Sequence, residues 1–245
     1  MGKLDGKTII ITGAARGIGS AITIRCLQDG ASVLGCDRDR LGLEKLQGKV
    51  QSEKLSTFQV DVTLYSEVEA LYKQIAKDFP QTNCLVNNAG IYFGQNILDY
   101  TAEQIDKVIS VNIKGAIYFS QLFGKYFSGQ EGSNAIVNIS SVSGHEGSSD
   151  AIYGLSKAAL FGLTKSCAMN FAPDIRVNAV APGLVETNMI KAIPKWRVQQ
   201  YRENELIKTP IFPEDVANTV AFLLSNESSN YTGSVFDLNN GCYLR

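Results

Sequence analysis

The sequence contains too few cysteines and histidines, in the wrong arrangement, for a disulfide framework or a metal site. Five cysteines lie at positions 26, 36, 84, 167 and 242, an odd number without a C-x-x-C pair, whereas disulfide-rich and zinc-binding proteins show paired spacings. His145 is the only histidine. This argues against a zinc site and against a Ser-His-Asp hydrolase, whose histidine must contact both other members. We expect reduced thiols and no metal.

Long apolar runs and an excess of charge are also lacking. No stretch approaches the roughly 18 apolar residues of a membrane-spanning helix, and the first residues, "MGKLDGKTII", contain no apolar signal-peptide core. The net charge is -1 and the pI is near 5.9, so no basic field would attract nucleic acid or an anionic membrane. We predict a cytoplasmic protein with a small-molecule substrate and no nucleic-acid or membrane partner.

Strands alternate with helices along most of the 245 residues. Short runs such as "KTIIIT", "SVLGCD" and "TFQVDV" are each followed by a longer helical pattern, and two later helices are predicted at 102–127 and 151–171. Uninterrupted alternation builds right-handed βαβ units and a sheet covered on both sides. We predict an α/β fold, a doubly wound parallel sheet of about seven strands with helices on both faces, as one domain over residues 1–245.

One segment, residues 183–212, interrupts this alternation. It contains Pro194, Pro210 and the polar run "KWRVQQYRENE". The segment follows a strand, and doubly wound folds bind ligands at the carboxyl ends of their strands. We therefore interpret residues 183–212 as a substrate lid, with an ordinary surface excursion as the alternative.

A glycine-rich turn, "TGAARGIG", follows the first strand and opens a helix. Its glycines, Gly13, Gly17 and Gly19, can adopt positive φ angles and let the backbone approach a pyrophosphate at the positive end of the helix. The spacing is G-x-x-x-G-x-G rather than G-x-G-x-x-G. The position of the turn directly after the opening strand nevertheless favours a dinucleotide site.

Asp37 ends the second strand in "CDRD". A carboxylate there accepts hydrogen bonds from both ribose hydroxyls and repels a 2'-phosphate, which favours NAD. Arg16 and Arg38 point the other way, because guanidinium groups could pair with that phosphate. We weight the carboxylate more heavily and predict NAD, with NADP as the less favoured coenzyme.

Tyr153 and Lys157 lie four residues apart in "DAIYGLSKAAL". Residues with this spacing share one face of a helix. Most such pairs are ordinary helix surface, so the pair alone does not establish a function. Its meaning depends on the motifs around it.

The whole chain resembles the short-chain dehydrogenase/reductase family in its compact, single-domain branch. The motifs that carry the resemblance occur in the family's order: "TGAARGIG", "DV" at Asp61, "NNAG" at Asn87, "VN" at Val111, "NISS" at Asn138, "YGLSK" at Tyr153 and "APG" at Ala181. At the carboxyl end "TGSVFDLNNG" departs from the family pattern, with Asn239 and Asn240 in place of Asp and Gly. The resemblance implies a Rossmann fold and an NAD(P)-dependent oxidoreductase.

The resemblance implies four catalytic residues: Asn112, Ser140, Tyr153 and Lys157. Ser140 is preferred over Ser141 because the family's serine lies thirteen residues before the tyrosine. Tyr153 would exchange a proton with the substrate oxygen while Ser140 hydrogen-bonds the same atom. Lys157 would lower the pKa of Tyr153 and hold the nicotinamide ribose. Asn112 would act through its backbone carbonyl and a water linked to Lys157.

Further residues carry binding roles by the same resemblance. Those expected to contact the coenzyme are Gly13, Arg16, Gly17, Ile18, Gly19, Asp37, Asp61, Val62, Asn88, Ala89, Gly90, Tyr153, Lys157, Pro182, Gly183, Val185 and Thr187. His145 joins Ser140 and Tyr153 as a candidate substrate contact, with a surface loop histidine as the simpler alternative. The resemblance also implies a homo-oligomer, a tetramer or a dimer.

Three functions are compatible with these features. The first is an NAD-dependent oxidoreductase that interconverts a secondary alcohol and a ketone on a small, polar metabolite. The second is an NADPH-dependent 3-oxoacyl-thioester reductase, which Arg16 favours and Asp37 disfavours. The third is a non-catalytic dinucleotide sensor, which is disfavoured because Tyr153 and Lys157 are both present.

Overall fold

A computed structural model describes residues 2–129 and 133–245 and contains one seven-stranded sheet with the order β3-β2-β1-β4-β5-β6-β7. Every neighbouring pair of strands is parallel. The strands are β1 (Thr8–Thr12), β2 (Ser32–Asp37), β3 (Leu55–Gln59), β4 (Cys84–Asn87), β5 (Asn134–Ile139), β6 (Ile175–Pro182) and β7 (Val235–Leu238). The order reverses between β1 and β4, which confirms the predicted doubly wound sheet.

Helices cover both faces of the sheet. They are α1 (Gly17–Gln28), α2 (Arg40–Val50), α3 (Tyr65–Asp78), α4 (Ala102–Ile109), α5 (Gly115–Phe127), α6 (Ser143–Glu146), α7 (Ala151–Phe171), α8 (Lys195–Asn204) and α9 (Pro213–Leu224). Among the described residues, none of the helices combines the length and apolarity needed to cross a membrane. All five cysteines are free thiols.

Alternate residues of each central strand belong to two separate cores. Ile9 and Ile11 of β1 pack with α1, α2 and α9, whereas Ile10 packs on the opposite face with α3, α5 and α7. All three isoleucines are fully buried. Side chains of a strand alternate between faces, so a strand buried on both faces reads as an uninterrupted apolar run. This explains the composition of "KTIIIT".

Two predicted elements differ in detail from the structure. The single helix expected over residues 102–127 is divided by a π-helical turn, Ser110–Lys114, into α4 and α5. This turn contains Asn112, and single π turns often occur at functional sites. The segment 183–212, in which no helix was predicted, contains a 3₁₀ turn, Asn188–Ala192, and α8.

A buried chain of polar side chains connects the centre of the sheet to α7. Asn87 donates from Nδ2 to Asn138 Oδ1 at 2.8 Å, and Asn138 donates from Nδ2 to Thr164 Oγ1 at 2.9 Å. Thr164 donates in turn to the Leu160 carbonyl at 2.7 Å. Because buried donors and acceptors are costly when unpaired, this chain fixes α7 relative to β4 and β5. The helix that carries Tyr153 and Lys157 is thereby held against the sheet.

Replacing Thr164 with valine is expected to lower the free energy of unfolding by about 1–3 kcal/mol, because Asn138 Nδ2 then lacks its acceptor while the side-chain volume is preserved. Thr219→Val is the matched control, since its hydroxyl makes a similar bond to the Asp215 carbonyl on the surface of α9. Urea denaturation of both variants measures the difference. Equal losses in the two variants would contradict the importance of the buried chain.

Candidate active site

A cavity of about 570 Å³ opens at the carboxyl ends of the strands, on both sides of the point where the strand order reverses. Its lining includes residues at the carboxyl ends of β1 to β6 and in the segments that follow them. Of the residues predicted to bind the coenzyme, all line this cavity except Gly19. Parallel strands bring their carboxyl ends to one edge, so residues distant in the sequence meet there.

The glycine-rich turn after β1 has the backbone geometry of an anion cradle. Gly13 and Gly17 have φ angles of +66° and +55°, and a Cβ on Gly13 would lie 2.9 Å from the Ala89 Cα. A Cβ on Gly19 would lie 2.0 Å from the Gly13 carbonyl oxygen, so Gly19 serves close packing beneath the cavity. Arg16 precedes α1 without a side-chain cap, which leaves the first N–H groups of the helix available to a phosphate.

Asp37 lies at the end of β2 and lines the cavity. Its carboxylate accepts from the Ala15 N–H at 3.1 Å and from the Asp39 N–H at 2.9 Å, which fixes its orientation. Arg16, a candidate partner for a 2'-phosphate, instead forms an ion pair of 2.5 Å with Asp39. Arg38 also lines the cavity. The glycine turn and this carboxylate fit the pyrophosphate and ribose of a dinucleotide.

Tyr153, Lys157 and Asn112 lie close together beside the cavity. The Lys157 Nζ lies 5.6 Å from the centroid of the Tyr153 ring and donates to the Ile139 carbonyl at 2.8 Å. A Cβ on Gly90 would lie 3.5 Å from the Lys157 Nζ and 3.6 Å from the Asn112 Oδ1, so both side chains border this glycine. Asn112 lies beneath the cavity lining and donates from Nδ2 to the Ile91 carbonyl and the Ser156 hydroxyl.

Burial acts against the charged forms of both Tyr153 and Lys157. It raises the pKa of Tyr153, an effect that the Ser141 hydroxyl opposes by hydrogen bonding and that the nearby Asp150 reinforces. It lowers the pKa of Lys157 from 10.5 to about 8. Burial is the largest effect on the phenol, so in this structure the pKa of Tyr153 is raised rather than lowered. Tyr153 is protonated at neutral pH in this structure.

Both Ser140 and Ser141 line the cavity, but Ser141 is the serine that bonds Tyr153. The Ser140 hydroxyl is buried and donates to the Lys157 carbonyl at 2.7 Å, which occupies its proton within the core. Ser141 instead bonds the Tyr153 hydroxyl and accepts from the Ser143 N–H at 3.2 Å. Ser141 precedes the tyrosine by twelve residues, so the loop between them is one residue shorter here than the spacing that selected Ser140.

His145 does not reach the cavity. Its ring stacks on Phe161 at 4.2 Å between centroids and its Nε2 lies 3.1 Å from Asp237 Oδ1. The side chain therefore faces β7 and α7, and nothing in this geometry supports the predicted substrate contact. Within residues 2–129 and 133–245, no cluster of three or more histidine, cysteine, aspartate or glutamate residues could hold a metal ion.

The structure adds Asp150, a fully buried carboxylate that the sequence analysis did not single out. Asp150 caps α7 by accepting from the Tyr153 N–H at 2.9 Å, and it also accepts from the Tyr100 hydroxyl at 2.7 Å and the Gly94 N–H at 2.9 Å. These bonds connect the loop after β4 to the amino end of α7. An aspartate three residues before Tyr153 is a recognisable N-cap signal, but its other two donors come from residues distant in the sequence.

Side chains from two further segments, the loop after β4 and α8, complete the cavity beyond Tyr153. The Tyr92 ring packs edge-on against the Tyr153 ring at 4.9 Å. Tyr201 and Arg197 of α8 also line the cavity, and the Arg197 guanidinium stacks on the Tyr201 ring at 4.3 Å. Neither residue was predicted individually, because the polar run "KWRVQQYRENE" does not reveal which side chains point inward. The predicted lid segment therefore borders the cavity.

Together, the reversal of strand order, the glycine cradle and the carboxylate after β2 define a doubly wound α/β protein with the geometry of a dinucleotide site. A family model described as enoyl-(acyl carrier protein) reductase matches residues 13–243. The chain belongs to the short-chain dehydrogenase/reductase family and is an oxidoreductase, which confirms the resemblance seen in the sequence motifs.

Similar proteins cover the whole chain. The 3-oxoacyl-[acyl-carrier-protein] reductase FabG of Thermotoga maritima is 36% identical over 99% of this chain and 100% of its own length. The 3alpha-hydroxysteroid dehydrogenase of Mediterraneibacter gnavus is 33% identical over 96% of each chain. The crystal structure of 3-ketoacyl-(acyl-carrier-protein) reductase from Brucella melitensis complexed with NADH superposes with a TM-score of 0.92 at 28% identity, covering 98% of this chain and 100% of that one.

The buried lysine yields a prediction about stability and pH. The displacement of the Lys157 pKa from 10.5 to about 8 corresponds to roughly 3 kcal/mol of destabilisation while the folded protein holds the proton. From about pH 8 to 10.5 only the unfolded chain holds it, so this penalty falls as the pH rises. We expect the wild type to gain up to roughly 3 kcal/mol of stability relative to Lys157→Met between pH 7 and 10.5.

Urea unfolding of wild type and variant across this range measures the change. Lys165→Met is the control, because Lys165 is exposed on the same helix and its ammonium remains in water in both states. A stability difference between wild type and Lys157→Met that does not vary with pH would show that Lys157 carries no burial penalty.

Proposed function

We propose that the protein is an NAD-dependent oxidoreductase that interconverts a secondary alcohol and a ketone on a small, polar metabolite. One observation carries the proposal: Tyr153 borders the cavity with its hydroxyl bonded to Ser141 and its ring 5.6 Å from the Lys157 ammonium. Reduction of a carbonyl needs a hydroxyl that donates a proton to the substrate oxygen, a second hydroxyl that hydrogen-bonds the same oxygen, and a nearby cation.

Each residue has a distinct role in this mechanism. Tyr153 donates its phenolic proton to the substrate oxygen during reduction and takes it back during oxidation. Ser141 hydrogen-bonds the same oxygen and stabilises the charge that develops on it. A nicotinamide coenzyme, when bound, supplies or accepts the hydride. The raised pKa of Tyr153 keeps its proton available at neutral pH, which suits the reductive direction.

Lys157 and Asn112 support the proton donor. Lys157 binds the nicotinamide ribose and restores the Tyr153 proton, a task for which a pKa of about 8 is suitable because the ammonium can lose and regain its proton near neutral pH. Asn112 lies next to it across Gly90 and holds the start of the loop after β4 through both of its bonds to Ile91. It acts on the reaction through Lys157.

The preference for NAD rests on Asp37. Its carboxylate accepts bonds from the ribose hydroxyls and opposes a 2'-phosphate. Arg16 pairs with Asp39 and is 71% exposed, so water screens its charge and the argument for NADP is weakened. Arg38 still supports NADP. Gly13, Gly17 and the amino end of α1 hold the pyrophosphate, and Asp61 and Val62 border the adenine.

A second candidate is a 3-oxoacyl-thioester reductase that uses NADPH. The 36% identity to the reductase of Thermotoga maritima over nearly the whole chain supports it. The same tyrosine, serine and lysine would perform the reduction, so the catalytic geometry favours neither candidate. Asp37 is the residue that disfavours the second, because the preferred coenzyme would then carry a 2'-phosphate.

We also infer a homo-oligomer, a tetramer or a dimer. Leu155 and Met169, 55% and 81% exposed, lie on the outer side of α7. A contact between subunits along this helix would bury both side chains.

Steady-state kinetics with NAD and NADP test the proposed function. We expect kcat/KM to be at least about tenfold higher for NAD, on substrates drawn from polyols, sugars, hydroxy acids and secondary alcohols, because Asp37 repels the 2'-phosphate. Asp37→Asn is expected to lower the ratio of kcat/KM with NAD to kcat/KM with NADP. A tenfold preference for NADP together with reduction of 3-oxoacyl thioesters alone would establish the second candidate.

The two serines provide a matched pair of variants. Ser141→Ala is expected to lower kcat about a hundredfold, because it removes a donor to the substrate oxygen. Ser140→Ala is expected to change kcat only a few-fold and to lower the free energy of unfolding by about 1 kcal/mol, because its hydroxyl bonds a carbonyl in the core. Single-turnover rates and urea unfolding measure both effects. The reverse pattern would return the role to Ser140.

A further inference from the structure

The charged side chains that line the cavity lie mostly at its coenzyme end. Among the described residues, the charged lining residues are Arg16, Asp37, Arg38, Asp61, Lys157 and Arg197. The first four follow β1, β2 and β3, and Lys157 lies beside Tyr153. Arg197 is the single charged residue that α8 contributes to the lining, in the part formed by the segment beyond β6.

Arg197 is held in place by the residues around it. Its guanidinium stacks on Tyr201 at 4.3 Å and donates from Nη2 to the Tyr201 hydroxyl at 3.0 Å and to Glu146 Oε1 at 2.8 Å. Its Nη1 donates to Gln200 at 2.6 Å, and the side chain is only 17% exposed. A guanidinium fixed in this way loses little conformational entropy when a ligand binds.

The guanidinium lies in the same compartment as the proton donor. Burial raises the pKa of Tyr92, and the Arg197 charge acts in the opposite direction on that hydroxyl. The Tyr92 ring in turn packs on Tyr153 at 4.9 Å. On the other side, the Tyr201 hydroxyl lies 3.5 Å from the Ser143 hydroxyl. Tyr153 and Arg197 line the same cavity, so one substrate can contact both.

The bonds of Arg197 leave donors for a ligand. Three of its five N–H groups are bonded to Gln200, Glu146 and Tyr201, so two make no bond within the part of the chain that the structure describes. The two are the Nε–H and one Nη1–H, and each can donate to a carboxylate oxygen of a ligand. Arg197 lines the cavity and Glu146 does not, so the carboxylate that pairs with the guanidinium lies outside the lining.

We propose that Arg197 binds a carboxylate of the substrate, which makes short hydroxy acids and the corresponding oxo acids the substrate class. This inference rests on the proposed alcohol–ketone oxidoreductase function. A monoanionic carboxylate suits the site better than a dianionic phosphate. Glu146 already balances the charge of Arg197, and its carboxylate repels a ligand with two negative charges more strongly than a ligand with one.

Isothermal titration calorimetry on the NAD-saturated enzyme tests the inference without turnover. The ligands are acetoacetate and levulinate, each compared with its neutral amide. We expect each acid to bind on the order of tenfold to a hundredfold more tightly than its amide in the wild type. In Arg197→Gln this ratio of dissociation constants is expected to fall to about one. Circular dichroism confirms that the variant is folded.

Glu146→Gln separates a binding role from a structural one. This variant removes the negative charge of Glu146, which repels a bound carboxylate, so the preference for each acid over its amide is expected to stay the same or increase. If Arg197 only fastens α8 to α6 through its ion pair, both variants weaken acids and amides by the same factor and the ratio does not change, which overturns the inference. A wild type that binds neither acid more tightly than its amide overturns it as well.

The two proposals fail in different ways. Turnover of neutral alcohols without a preference for acids would refute the carboxylate site and leave the oxidoreductase function intact. Selective binding of acids without any turnover of alcohols or ketones would refute the proposed function, while Arg197 would remain a carboxylate-binding residue.

Discussion

The close approach of the chain after β1 to the chain after β4 is the constraint on which the cavity depends. The Thr12 hydroxyl accepts from the N–H groups of Asn88 and Ala89, and the Asn88 side chain donates to the carbonyls of Thr12 and Gly13. A Cβ on Gly13 would lie 2.9 Å from both the Ala89 Cα and the Asn88 Nδ2. Because strand order reverses here, the two segments diverge beyond this contact and the cavity opens between them.

The reactive groups lie where burial opposes their charged forms. Tyr153 keeps its proton because its surroundings are desolvated, and the ammonium of Lys157 is destabilised by the same surroundings. The fold compensates through uncharged contacts: the Ile139 carbonyl accepts from Lys157, and the buried chain from Asn87 to Thr164 holds α7 in place. Stability is thus reduced at the active site and recovered in the polar network beneath it.

The fold was predictable because periodicity and motif order are local properties of the sequence. Apolar runs buried on both faces required a parallel sheet, and the glycine turn, Asp37 and the Tyr153–Lys157 pair all reached the cavity. The sequence predictions differ from the structure where a residue count or a helical pattern was the only guide to three-dimensional contacts. A count of thirteen residues selected Ser140, whereas a loop one residue shorter brings Ser141 to Tyr153. The sequence around Asn112 predicted one continuous helix and not a π turn, because a change of backbone hydrogen-bond register requires no change in the residue types.

The sequence by itself determined the family and hence an oxidoreductase, since the glycine turn and the later motifs identify the family by their residue types and order. Only the tertiary structure decided which other side chains line the cavity beside Tyr153. Tyr92, Arg197 and Tyr201 come from segments whose orientation depends on packing against the rest of the fold, and His145 was turned away by its stacking on Phe161. Side-chain direction depends on contacts between residues distant in the chain, which local sequence patterns do not specify.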